Sequence, residues 1–132
     1  MNNNKNIKTF KNHVIFKATG RVNQNGDIYS KDLKVNFDKE VPITFEYSDK
    51  PENILGKATN IRFKDCKLIA DLNISASKKV TKKLDNRIYP GVCFTVKDSK
   101  KIPIKEAELI SIGMLTYNID ETIKPINLNK GE

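Results

Sequence analysis

Residues 90–117, PGVCFTVKDSKKIPIKEAELISIGMLTY, decide the fold. Two apolar runs are separated by a lysine-rich connection. In the first, Val92, Phe94 and Val96 alternate with Cys93 and Thr95, the period-2 pattern of a strand with one buried face. The second, Leu109–Tyr117, is apolar on both faces apart from Ser111, Thr116 and the small Gly113, which predicts a strand in the middle of a sheet. The small residues Gly91, Cys93, Ser111 and Gly113 are where chemistry would sit, because a hydroxyl or thiol on a rigid strand is well placed for attack.

The segments around this pair are mostly extended. Val14, Phe16 and Ala18 alternate as a first strand, Asn25-Gly26 marks a tight turn, and Ser30 is placed to cap a turn of helix through Lys31–Leu33. Val41–Tyr47 predicts a strand with Val41, Ile43, Phe45 and Tyr47 on one face, its pairing limited at the start by Pro42. Ile54–Phe63 and the alternating Leu68, Ala70, Leu72 and Ile74 form a hairpin about Lys64-Asp65-Cys66, with Gly56 marking a close approach. One helix follows from Ser75, with Ala76, Val80 and Leu84 on its inner face and Lys78, Lys79, Lys82 and Lys83 outside. The order of strands, one helix and strands predicts a mainly β fold, a small antiparallel β-barrel with one short helix. A polar N-terminal arm (residues 1–11), one domain (12–118) and a C-terminal arm (119–132) complete the organisation.

Charge and composition bound the function. The 132 residues carry a formal net charge of +8, with a sequence pI near 9.5. That favours nucleic acid, an anionic membrane or an acidic protein as partner. The dispersal of the lysines, with arginine only at 21, 62 and 87 and no basic-aromatic motif, fits an AT-rich coding bias better than a binding surface. The polar start, MNNNKNIKTF, has no signal-peptide core, and no window approaches the ~20 apolar residues of a membrane span, so an intracellular origin without membrane contact is expected.

Elimination leaves little chemistry. The single histidine, His13, is the one available base for a Cys93 or Ser111 nucleophile, and an exposed strand-edge histidine is its ordinary reading. Two cysteines without CxxC spacing and one histidine do not build a zinc site, and no phosphate-cradling glycine loop occurs; neither metal nor cofactor is expected. For Cys93 a packed thiol, and for Ser111 a hydroxyl satisfied by backbone, are the structural alternatives to catalysis. A nucleic-acid-binding barrel of the OB type would need aromatic stackers, and Phe45, Tyr47, Phe63 and Phe94 are those available.

The order of segments resembles the prohead maturation proteases of tailed phages, whose β-barrel is shared with the herpesvirus assembly proteases. The matching pieces are GRVNQNGDIYSKDL, VPITFEY followed by ILGKA, the hairpin ending in CKLIADLNIS, the helix, GVCFTV and AELISIGMLTYN, together about residues 14–118. The resemblance implies a serine protease with a histidine late in VPITFEY, a serine two residues before Cys93, and an acidic or histidine partner two before Ser111. Those positions hold Tyr47, Gly91 and Leu109. Glycine has no nucleophile, a phenol with an ordinary pKa near ~10 is a poor base, and leucine orients nothing by hydrogen bonding. What the resemblance implies is therefore a degenerate protease fold kept as a capsid auxiliary or decoration protein of a virion assembled in the bacterial cytoplasm. Its partner would be the major capsid protein or another virion protein, met through the basic helix (Lys78, Lys79, Lys82, Lys83) and the arms, with DNA as the second choice. An active protease using Ser111 or Cys93 is the competing expectation.

Overall fold

The structure, a computed structural model, describes residues 7–22, 26–48, 50–75, 87–96, 103–115 and 123–127. Among the described residues there are eight strands: β1 (Ile7–Lys17), β2 (Tyr29–Asn36), β3 (Val41–Phe45), β4 (Ile54–Lys64), β5 (Lys67–Ser75), β6 (Arg87–Thr95), β7 (Ile104–Leu115) and β8 (Ile126–Asn127). The fold is mainly β, as the alternation predicts. A single 3-10 turn, Pro51–Asn53, is the one helical piece among the described residues. The predicted helix from Ser75 and its four lysines, Lys78, Lys79, Lys82 and Lys83, lie outside the described residues.

The 12-residue strand β7 is the spine. One edge pairs antiparallel with β6, from Tyr89–Leu115 to Thr95–Glu108. The other edge takes β2 alongside Ile104–Glu108 and β3 alongside Ile112–Met114, both parallel. The sheet continues from β3 through β4 and β5 to β1, and β8 pairs with β6 at the opposite end. Among the described residues the sheet is thus mixed and open, and the closed antiparallel barrel expected from the sequence is corrected on both points. Alternation reports which face is buried and is silent on strand direction, so two parallel neighbours on one edge of β7 leave no mark on it.

Among the described residues, aromatic packing rather than a ladder joins β1 to β2 and β6. Phe16 on β1 meets Phe94 on β6 edge to face at 4.9 Å between ring centroids, and Tyr29 on β2 completes the trio at 5.1 and 5.6 Å. Such ring contacts add about 0.5–1.5 kcal/mol each beyond the area they bury. Ile43, Leu72, Ile74 and Ile112, all fully inaccessible to solvent, fill the same core.

The 54–74 hairpin stands as expected. Its turn residues Asp65 and Cys66 both take positive φ (54° and 65°), as a two-residue hairpin turn requires. Gly56 is the close approach: a Cβ there would lie 1.9 Å from the Asn73 carbonyl oxygen. Val22 and Ile28 are bridged and Gly26 takes φ 84°, while Asn25 of the expected turn lies outside the described residues.

Other local expectations are corrected. Residues 7–11 belong to β1 rather than to an arm, because Phe10 is buried and pairs with Leu72. Ser30 starts no helix. It lies in β2, where its hydroxyl donates to the Asp32 carboxylate and accepts from the Asp32 amide within a bulge, so that Tyr29 pairs with Ile104 but Lys34 already with Glu106. Within the C-terminal stretch, Ile123 and Ile126 are buried and Ile126 pairs with Ile88. Tyr47 leaves β3, since Glu46 and Tyr47 turn at φ 48° and 64°.

Candidate functional site

Cross-strand register brings together the four small residues singled out in the sequence. Gly91 pairs with Gly113 and Cys93 with Ser111, so all four share one face of the β6–β7 ladder, opposite the face that sends Ile112 and Met114 into the core. The Glu46–Tyr47 turn then folds the Tyr47 ring onto this face. A Cβ on Gly113 would stand 2.7 Å from both Tyr47 Cδ1 and Cε1, so the phenol ring occupies the space that the glycine leaves open. Tyr47 remains 37% exposed.

The structure therefore brings Tyr47 onto Gly113, the cross-strand partner of Gly91, but leaves out the third resemblance-derived position. Leu109 pairs with Phe94 beyond a register shift and is buried in the core, on the far side of the sheet from Tyr47. His13 is on β1, and its Nε2–H donates to the Lys124 carbonyl at 2.9 Å. Cys93 and Ser111 are neighbouring nucleophile-type groups, each partly buried, on strands that carry no histidine. The face can bury a ring and make contacts.

Of the four aromatic residues available for base stacking, Phe45, Phe63 and Phe94 pack against the core and Tyr47 alone is exposed. That arrangement is not a stacking platform. Among the described residues no group of three His, Cys, Asp or Glu side chains is placed to hold a metal ion, and no helix is long and apolar enough to cross a membrane.

A polar arrangement on the outer face of β1, β5 and β4 was missed from sequence. Asp71 sits on the middle strand between two bulges, where Asn12 (φ 56°) and Asn60 (φ 52°) take left-handed backbone. The Asp71 carboxylate accepts from the Asn12 amide at 2.8 Å and from Asn60 Nδ2 at 3.4 Å. Arg62 ties the bulges together by donating to the Asn60 carbonyl at 2.7 Å and to the Asn12 side-chain oxygen. One row away, Thr9 donates to Asn73, whose amide donates to Thr59. Asparagine tolerates left-handed backbone, which is the one signal the sequence offered, but no glycine marks either bulge. At the end of the sheet, Ile7, Val41, Pro42, Ile54 and Gly56 line an open, mainly apolar groove of about 500 Å³.

No protein-family model, no curated protein and no solved structure matches the chain.

Proposed function

We propose that the chain is a non-catalytic structural protein of a tailed-phage virion, a capsid auxiliary or decoration protein on a degenerate protease-like sheet. The observation that carries the non-catalytic part is the Tyr47 ring lying on Gly113, directly across the ladder from Gly91. Where the resemblance puts a nucleophile and its base, there is a glycine and a phenol ring packed against its neighbour. Leu109, the third position, is a core residue. The phage setting rests on the order of segments given above, and no matched relative adds to it. A protein of this kind works by contact, and its net charge of +8 suits an acidic capsid surface.

Two measurements test the two parts. Incubation with casein and with its own chain leaves both intact; cleavage that disappears in Cys93→Ala or Ser111→Ala would overturn the non-catalytic part. The protein co-sediments with assembled capsids and is detected by mass spectrometry in purified particles. Its absence from both would overturn the virion part.

A further inference from the structure

Strands β1 and β6 share no ladder among the described residues, and Ile123–Asn127 lies across the seam between them. On the β6 side Arg87 pairs with Asn127 and Ile88 with Ile126, antiparallel. On the β1 side His13 donates its Nε2–H to the Lys124 carbonyl at 2.9 Å. Ile123 and Ile126 are buried, while Lys124 and Pro125 between them are exposed. The segment has the form of a strap, held by two apolar plugs, a short ladder and a side-chain tether.

Its attachment is slight compared with the sheet that carries it. Burying two isoleucines gains about as much free energy as ordering five residues costs, so the strap opens far more readily than the sheet unfolds. Opening leaves two isoleucine slots beside the Arg87–Ile88 edge, the kind of surface that strand addition uses. The occupant already shown to fit is this segment itself, and in a second copy the same five residues make every contact again. Pro125 favours docking within or between chains, because its fixed φ leaves fewer conformations to give up. Residues 116–122 connect the strap to β7, and seven residues span at most about 25 Å, which sets its reach to a neighbouring molecule.

We infer that Ile123–Asn127 is an exchangeable strap and that the seam between β1 and β6 accepts the strap of a second copy, reciprocal exchange closing a two-fold dimer. The contacts are the same within and between chains, so concentration sets the balance. A short connection keeps the chain's own strap at an effective concentration on the order of millimolar. The exchanged form is therefore minor in dilute solution and rises where copies are packed together. The inference stands independently of the virion reading.

Disulfide trapping in the full chain tests it. Arg87→Cys and Asn127→Cys are made in separate chains; as ladder partners these positions have the Cα separation that a disulfide needs. The two are mixed under mild oxidation, at about 10 µM and about 1 mM, and the linkages are identified by peptide mapping. The 87–127 link forms between chains, more at the higher concentration, and exceeds by ~10-fold or more the background from Asn127→Cys mixed with Lys34→Cys, an exposed site on β2. His13→Ala makes the link appear ~2–10-fold faster, the worth of one hydrogen bond. It leaves the equilibrium dimer fraction in sedimentation unchanged, since the strap loses the same bond within and between chains. With both cysteines on one chain they link to each other, and this closed form stays monomeric where wild type dimerises. An 87–127 link no more abundant than background, or a closed form that dimerises as readily as wild type, would overturn the inference.

Discussion

The Tyr47 ring lies against the backbone of Gly113, so close that a single methyl group on the glycine would meet two ring carbons at 2.7 Å. Gly56 is also tightly covered, but by the Asn73 carbonyl at 1.9 Å. The two glycines differ in what must yield. A tyrosine that is already 37% exposed swings into solvent, whereas a carbonyl in the β4–β5 ladder cannot move without breaking pairing.

Gly113→Ala therefore costs about 1 kcal/mol, and Gly56→Ala about 3 kcal/mol or more. Urea denaturation of the two variants checks the order. Tyr47→Ala in the Gly113→Ala background adds little to the loss, because the ring has already been displaced. Equal costs at the two glycines would mean that the ring is held as firmly as the ladder.

How far the sequence went is clear at these positions. The 54–74 hairpin was legible because Leu68, Ala70, Leu72 and Ile74 alternate without a break and the turn between the strands is two residues long. The cluster of Gly91, Cys93, Ser111 and Gly113 was legible as a set of small residues on two strands, but its assembly on one face needed the register. The arrival of Tyr47 was hidden, since positive φ at Glu46 and Tyr47 has no glycine to announce it and plain alternation keeps Tyr47 in line with Phe45.

Thr44 provides a stability test inside the core. It lies in β3 between β4 and β7, 4% exposed, and its hydroxyl has no hydrogen-bond partner among the described residues. Burying an unsatisfied hydroxyl costs about 1–3 kcal/mol, and valine keeps the branched shape favoured in a strand. Thr44→Val raises the unfolding free energy by about 1 kcal/mol with an unchanged denaturant slope. A fall in stability would mean that the hydroxyl is satisfied in solution.

The paired bulges around Asp71 separate backbone effects from side-chain effects. Asn60 has φ 52° and only a long 3.4 Å contact to Asp71, so Asn60→Gly is close to neutral while Asn60→Ala costs about 1 kcal/mol. Asp71→Ala removes the acceptor for the Asn12 amide and costs about 1 kcal/mol at this partly exposed position, whereas Asp71→Asn retains an oxygen and costs less. Thermal melts of the four variants distinguish the effects. If Asn60→Gly proved as damaging as Asn60→Ala, the left-handed backbone would not be the reason asparagine stands there.

The aromatic trio that joins β1, β2 and β6 makes the fold sensitive to alkali. Burial raises the pKa of Tyr29, and the nearby negative charge of Asp27 raises it further, so the folded protein keeps the phenol proton to a higher pH than the unfolded chain, where tyrosine titrates near ~10. The sign follows from linkage: the contribution is fully present below pH ~10 and is lost as pH rises through the higher folded-state value, because the unfolded state gives up its proton first. The melting temperature of wild type thus falls above pH ~10, and Tyr29→Phe falls less steeply, since phenylalanine keeps the ring contacts to Phe16 and Phe94 without the titrating group. Tyrosinate absorbance of wild type shows a late component that is missing from Tyr29→Phe. Parallel melting curves for the two proteins across pH 9 to 11 would place Tyr29 in water instead of against Phe16 and Phe94, and would leave β1, β2 and β6 without the aromatic contact that joins them.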